Sequence, residues 1–190
     1  VPNTGPLPVV RLAGGAQLTL LGPTEARLRS LRKRWAKEID DFPPGDVSAA
    51  LNRLAERREY RPPAMPPDTR GMAPARKFGD DSTVANGSSI AFVFEYDGAA
   101  LLLTGDAHAR SLSAALKRLA GERSVSRLRF DAVKLPHHGS MNNVSKAWLQ
   151  RVDCDRWLIS TNGAIFRHPD VETAQLIAAC ARRSGPKPTL

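Results

Sequence analysis

The residues best placed to do chemistry stand in two short runs, Leu103-Thr104-Gly105-Asp106-Ala107 and Leu135-Pro136-His137-His138-Gly139-Ser140. Each follows an apolar stretch of strand character, so a carboxylate and two imidazoles are expected at strand C-terminal ends. Open α/β folds put their binding and catalytic groups there. One carboxylate with two or three imidazoles is a donor set suited to Zn2+ or a similar divalent ion. Asp106 carries two oxygens and can bridge a pair of such ions, which together clamp a substrate oxygen and acidify bound water. Neighbouring side chains at a strand end point in different directions. One of His137 and His138 is therefore expected to bind metal and the other to face substrate. His137 is the preferred ligand, and His138 the preferred contact to a phosphate or leaving group.

Other candidates lie close by in sequence. Ser140 follows the His pair and is read as a substrate contact. Thr161 and Asn162 can donate hydrogen bonds to a substrate oxyanion. His168, in Phe166-Arg167-His168-Pro169, is either a loop imidazole or a member of the site. His108 stands two residues beyond Asp106, at a helix start, where it reads as exposed or as a support for a ligand.

An α/β pattern of alternating elements must position these groups. Gln17–Pro23 reads as a strand stopped by Gly-Pro. Thr24 then caps a helix whose Leu28, Leu31, Trp35 and Ile39 have helical spacing and are expected to be buried. Its other faces carry Arg27, Arg29, Arg32, Lys33, Arg34 and Lys37, the densest basic patch in the chain. Phe42-Pro43-Pro44-Gly45 breaks that helix. Asp46 caps a second one, with Val47, Leu51 and Leu54 expected on its buried side. Residues 61–78 hold five prolines and little apolar content, which predicts a loop or linker. Ser89–Tyr96 and Ala99–Thr104 form a hairpin about Asp97-Gly98, the second strand buried on both faces. A helix with Leu112, Leu116 and Leu119 follows, then a strand over 130–135 and a helix over 146–152. A strand over 156–160 and a last helix over 171–181 complete the pattern.

With 190 residues the chain suits one domain, whole or partial. Its 42% hydrophobic and 25% charged residues are those of a globular protein, and no apolar run is long enough to span a bilayer. The start, Val1-Pro2-Asn3, has no signal-peptide character. Cys154 and Cys180 read as small buried hydrophobes rather than a disulfide framework. This composition favours the cytoplasm. A net charge of +9 suits a polyanionic partner such as nucleic acid.

Taken in order, Asn86-x-x-Ser89-Ile90, the Gly105-Asp106 run, the His137-His138-Gly139-Ser140 run and Ser160 followed by His168-Pro169 resemble metallo-β-lactamase-fold hydrolases. The branch they resemble is that of DNA-uptake competence proteins, and the likeness covers the C-terminal half of that domain. It implies a four-layer αββα sandwich over residues 1–190, with two divalent ions, Zn2+ or Mn2+, at its edge. It further implies that Asp106, His137 and His168 hold metal. The family's His-x-His-x-Asp-His motif is absent from the sequence. The remaining ligands are therefore expected from an N-terminal half or companion chain, and the Val1 start without an initiator Met favours a fragment. The expected activity is that of a phosphodiesterase or nuclease, with Asp106 and His138 catalytic and Arg29 and Lys33 tracking the nucleic-acid backbone. Two alternatives stand beside it: a hydrolase of small esters, lactones or lactams, and a metal-free half-domain serving as a binding or regulatory partner.

Overall fold

The computed structural model describes residues 1–40, 45–56, 79–163 and 167–181. The proline-rich stretch over 61–78 and the helix break at 42–44 lie outside the described residues. The fold is mixed α/β. Strands β1 (Val9–Arg11), β2 (Gln17–Gly22), β3 (Ala91–Tyr96), β4 (Ala99–Leu103), β6 (Ala132–Lys134) and β8 (Trp157–Leu158) form one six-stranded sheet in that order. The first four run antiparallel; β4, β6 and β8 are parallel. A small second sheet pairs β5 (Leu128–Arg129) with β7 (Val152–Asp153). Asp97 and Gly98 both adopt positive φ, 48° and 77°, the backbone that a two-residue hairpin turn between β3 and β4 requires.

One face of the large sheet is the core face. Leu21, Ala91, Val93, Leu102 and Val133 pack with Leu112, Leu116 and Leu119 of α4 (Ala109–Glu122) in a single buried cluster. Trp148 of α5 (Lys146–Leu149) and Ile177 of α6 (Val171–Ala181) join the same cluster.

The opposite face is apolar too, and its side chains are only half covered. Leu18 pairs with Phe94, Leu20 with Phe92, Phe92 with Leu103 and Phe94 with Leu101, so these six side chains share that face. All six are half-buried; Val10, opposite Leu18, is 42% exposed, and Leu158, separated from Leu103 by Lys134, is 48% exposed. The expectation that Ala99–Thr104 is buried on both faces is thus corrected: Leu102 is fully buried while Leu101 and Leu103 are not.

Two helices also depart from their expected packing. The first, α1 (Glu25–Ile39), begins at its Thr24 cap, whose hydroxyl accepts from the Arg27 N–H at 3.4 Å. It buries no residue fully; Leu28, Trp35 and Ile39 are 46%, 62% and 54% exposed. The second, α2 (Val47–Glu56), is capped by Asp46, which accepts from the Ala49 N–H at 2.8 Å, yet Val47 and Leu51 are exposed. Periodicity reported the helices correctly but not what they pack against. No helix among the described residues is long and apolar enough to cross a membrane.

Candidate functional site

Three bonds join the ends of β4 and β6 and so build the site. The Thr104 hydroxyl donates to the Lys134 carbonyl at 2.6 Å, and the His137 N–H donates to the Gly105 carbonyl at 3.1 Å. The side-chain amide of Asn143 donates to the Asp106 carbonyl at 3.2 Å. Gly105, at φ 53°, turns the chain there, and an added Cβ would lie 3.0 Å from the Ile90 carbonyl oxygen. The two runs singled out in the sequence thus become neighbours across the parallel β4–β6 pair.

His137 and His138 do not sit on a strand end. They occupy a 3-10 turn, Pro136–Gly139, with left-handed φ values of 45° and 58°. That turn swings both rings toward the loop that carries His168. The ring centres of His137 and His138 are 5.9 Å apart, and those of His137 and His168 are 5.6 Å apart. Gly139 makes the loop contact possible: at φ 84°, its missing Cβ would stand 2.8 Å from the Cβ of Pro169.

Each imidazole has a different setting. His138 is half-buried, and its Nδ1–H donates to the Ser160 carbonyl at 2.6 Å. A carbonyl only accepts, so the proton is on Nδ1 and Nε2 carries the lone pair. His168 is buried, with Nδ1 3.5 Å from an Asp170 oxygen. Burial, with the neighbouring His137 and His138, lowers its pKa against the pull of the Asp170 charge. The His137 Nδ1 stands 3.0 Å from Asn143 Oδ1 and 3.7 Å from Asp81 Oδ2.

The remaining sequence candidates divide. Asp106 is half-buried beside the His137 loop, and its charge raises the pKa of the Lys134 ammonium against the larger lowering effect of burial. Thr161 and Asn162 are exposed and follow directly on Ser160, the partner of His138. Ser140 is 3% exposed, and its hydroxyl accepts from the Asn142 N–H at 3.4 Å, so it closes the turn from within. Arg29 and Lys33 are exposed on α1, with Arg29 3.3 Å from Glu25 one turn away. His108 is not exposed: at 4% it is buried, and its Nε2–H donates to the Thr83 carbonyl at 2.9 Å.

Sequence reasoning missed Asp81 and Asn143. The Asp81 side chain is 6% exposed and accepts four hydrogen bonds, from Thr83 N–H, Thr83 Oγ1–H, Asn86 and Asn143, at 2.8–2.9 Å. Burial alone would raise its pKa, but bonds from Asn143, Asn86 and Thr83 outweigh that and bring it down to about 2. Asp81 lies 62 residues from Asn143, so no local pattern links the two. The Asp81-Ser82-Thr83 turn was the one readable signal, since Asp followed two residues on by Thr commonly folds back on itself. Asp170 was also missed; it accepts from the Met141 N–H at 2.8 Å and ties the His168 loop to the His137 turn.

Among the described residues, no group of three or more His, Cys, Asp or Glu side chains is arranged to hold a metal ion. The imidazoles converge, but the donors among the described residues do not close a coordination shell. No protein-family model, curated protein or solved structure matches the chain.

Proposed function

We propose that this chain is the C-terminal half of a metallo-β-lactamase-like hydrolase, an αββα sandwich, and that its substrate is a phosphodiester, most simply nucleic acid. The observation that carries this reading is the gathering of His137, His138 and His168 beside the Asp106 loop, at the ends of parallel strands. Because the donors among the described residues leave the ligand set open, the remainder is assigned to an N-terminal half or companion chain. The half-covered face of Leu18, Leu20, Phe92, Phe94, Leu101 and Leu103 supports that assignment, since a second sheet needs an apolar face to pack on. The cofactor required is a pair of divalent ions, Zn2+ or Mn2+, which would supply Lewis acidity.

This chain's own residues have defined work in that reading. Asp106 and the imidazoles of His137 and His168 supply donors. His138, with Nδ1–H tied to Ser160, turns Nε2 outward; there it can take up a proton, and the imidazolium so formed donates to a phosphate oxygen or leaving group on which negative charge develops. Thr161 and Asn162, beside it, can donate to the same oxygens. The exposed cations of α1, Arg29 and Lys33 among them, attract the phosphate backbone.

A second reading, the metal-free half-domain that binds or regulates a partner, is favoured by the open ligand set itself. Metal content per chain of the protein as purified, measured by elemental mass spectrometry with Asp106→Ala alongside, separates the two. About two ions per site, lost in the variant, supports the hydrolase; no metal in either protein, and no hydrolysis, supports the binding module. Turnover of small esters or lactones without turnover of DNA or RNA would move the substrate to the other class.

A further inference from the structure

A buried carboxylate surrounded by donors can dictate the hydrogen-bond directions of everything behind it, because it can only accept. Asp81 is such a group. Its Oδ2 takes hydrogen bonds from the side-chain amides of Asn86 at 2.8 Å and Asn143 at 2.9 Å. Asn143 is 0% exposed, so water does not compete for its amide. Its Nδ2 faces three acceptors: Asp81 Oδ2, the Asp106 carbonyl at 3.2 Å and the Ala107 carbonyl at 3.3 Å. Turning the amide over would set oxygen against all three. The NH2 group must therefore face Asp81, and Oδ1 must face the other way.

What lies the other way is His137. Its Nδ1 is 3.0 Å from Asn143 Oδ1. An acceptor at that distance requires a proton on Nδ1, and a neutral imidazole then carries its lone pair on Nε2. Asn86 Nδ2, which gives one hydrogen to Asp81 at 2.8 Å, also stands 3.4 Å from Nδ1, but the Asn143 Oδ1 contact at 3.0 Å is shorter, and two facing lone pairs at that distance would repel, so the proton stays on Nδ1. Among the described residues no hydrogen bond reaches His137 Nε2.

We propose that Asp81 and Asn143 are positioning residues: Asp81 orients the Asn143 amide, and Asn143 fixes His137 as the Nδ1–H tautomer, so that Nε2 is presented as a lone pair. His138 reaches the same state through the Ser160 carbonyl. Two adjacent neutral imidazoles with bare Nε2 atoms are prepared to ligate a cation or take up a proton rather than to donate a hydrogen bond. Buried partners that set the tautomer of a ligand histidine typically change metal affinity by about 10–100-fold when removed. The inference rests on the proposed function only in giving Nε2 a task.

Nitrogen-15 NMR of the metal-free chain, at a pH where imidazoles are neutral, reads the tautomer of each histidine directly. The expected result is Nδ1–H for His137 in the unaltered protein. Asn143→Leu removes the acceptor and should shift His137 toward Nε2–H. Asp81→Asn leaves the surrounding donors facing an amide with a single acceptor oxygen, and should give a mixture of tautomers. Gln150→Ala, at the exposed end of α5, should change nothing at His137. Nε2–H in the unaltered protein, or an unchanged Nδ1–H form in either Asn143→Leu or Asp81→Asn, overturns the proposal. Should one variant fail to fold, the unaltered protein and the other variant still decide. Because no metal enters this measurement, a protein that never binds metal yet shows the expected tautomers sinks the hydrolase reading alone.

Discussion

His137 and His138 hold left-handed backbone angles that a side chain with a Cβ adopts only at a cost of about 1 kcal/mol or more. The cost is offset by bonds that pin the turn, from the His137 N–H to Gly105 and from the Ser140 N–H to the His137 carbonyl. Backbone strain of this kind gathers where a side chain must be aimed. His138→Gly should therefore be more stable than His138→Ala by about 1 kcal/mol, as urea unfolding of the pair would show; equal stabilities would mean the turn carries no strain. Gly139 is the reverse case. Gly139→Ala should lose about 2 kcal/mol or more, because the new methyl meets Pro169 at 2.8 Å on top of the positive φ. A third expectation concerns pH. Burial holds the Cys154 thiol above its usual range, so the unfolded thiol ionises first as pH rises. The unfolded chain then binds fewer protons than the folded one, and stability falls with rising pH beyond the ordinary thiol value. Denaturation midpoints on either side of that value should converge for Cys154 and Cys154→Ala at the higher pH.

At the scale of elements, α1 is the clearest lesson. Its Thr24 cap, its length and its Leu28-Leu31-Trp35-Ile39 stripe were all legible, because capping and helical spacing are local. Its burial was not, since that depends on a surface contributed from elsewhere in the chain or beyond it. Of the basic residues of the same helix, Arg29, Arg32, Lys33, Arg34 and Lys37 are exposed and Arg27 is half-buried, with Arg29 and Arg34 paired to Glu25 and Glu38 one turn away. If these cations meet phosphates, Arg29→Ala together with Lys33→Ala should weaken binding of a DNA or RNA oligonucleotide at low salt. The double variant should also flatten the dependence of log affinity on log salt by up to about 2. Fluorescence anisotropy across a salt series measures both; identical slopes would remove α1 from the interface.

For the molecule as a whole, the sheet has one buried face and one half-covered face. The core face is closed by α4, α5 and α6, which makes this chain able to hold its own cluster of Trp148, Phe130 and the surrounding leucines. The other face leaves Phe92, Phe94, Leu101 and Leu103 half covered. Apolar area of that kind on a lone chain draws hydrophobic dyes and other copies of itself. Phe92→Glu with Leu101→Glu should lower the fluorescence of a bound hydrophobic dye and reduce self-association, with little loss of folded structure by circular dichroism. Unfolding of that variant would instead make the face part of this chain's own core.

Much of the frame was readable from residues alone. The last helix runs over 171–181 as its spacing indicates, and the Asp97-Gly98 turn joins β3 to β4, because both depend on interactions a few residues apart. The sequence by itself also determined which residue types stand as candidates, since the Gly-Asp and His-His runs after apolar stretches are local patterns. Only the tertiary structure decided that the His pair turns through left-handed backbone toward His168. It alone brought Asp81 to Asn143 across 62 residues, and left one sheet face half covered. Hydrogen-bond direction and burial belong to pairs of groups, not to single residues. A pattern within one segment carries its own half of each pair, and the partner is known only once the chain has closed on itself.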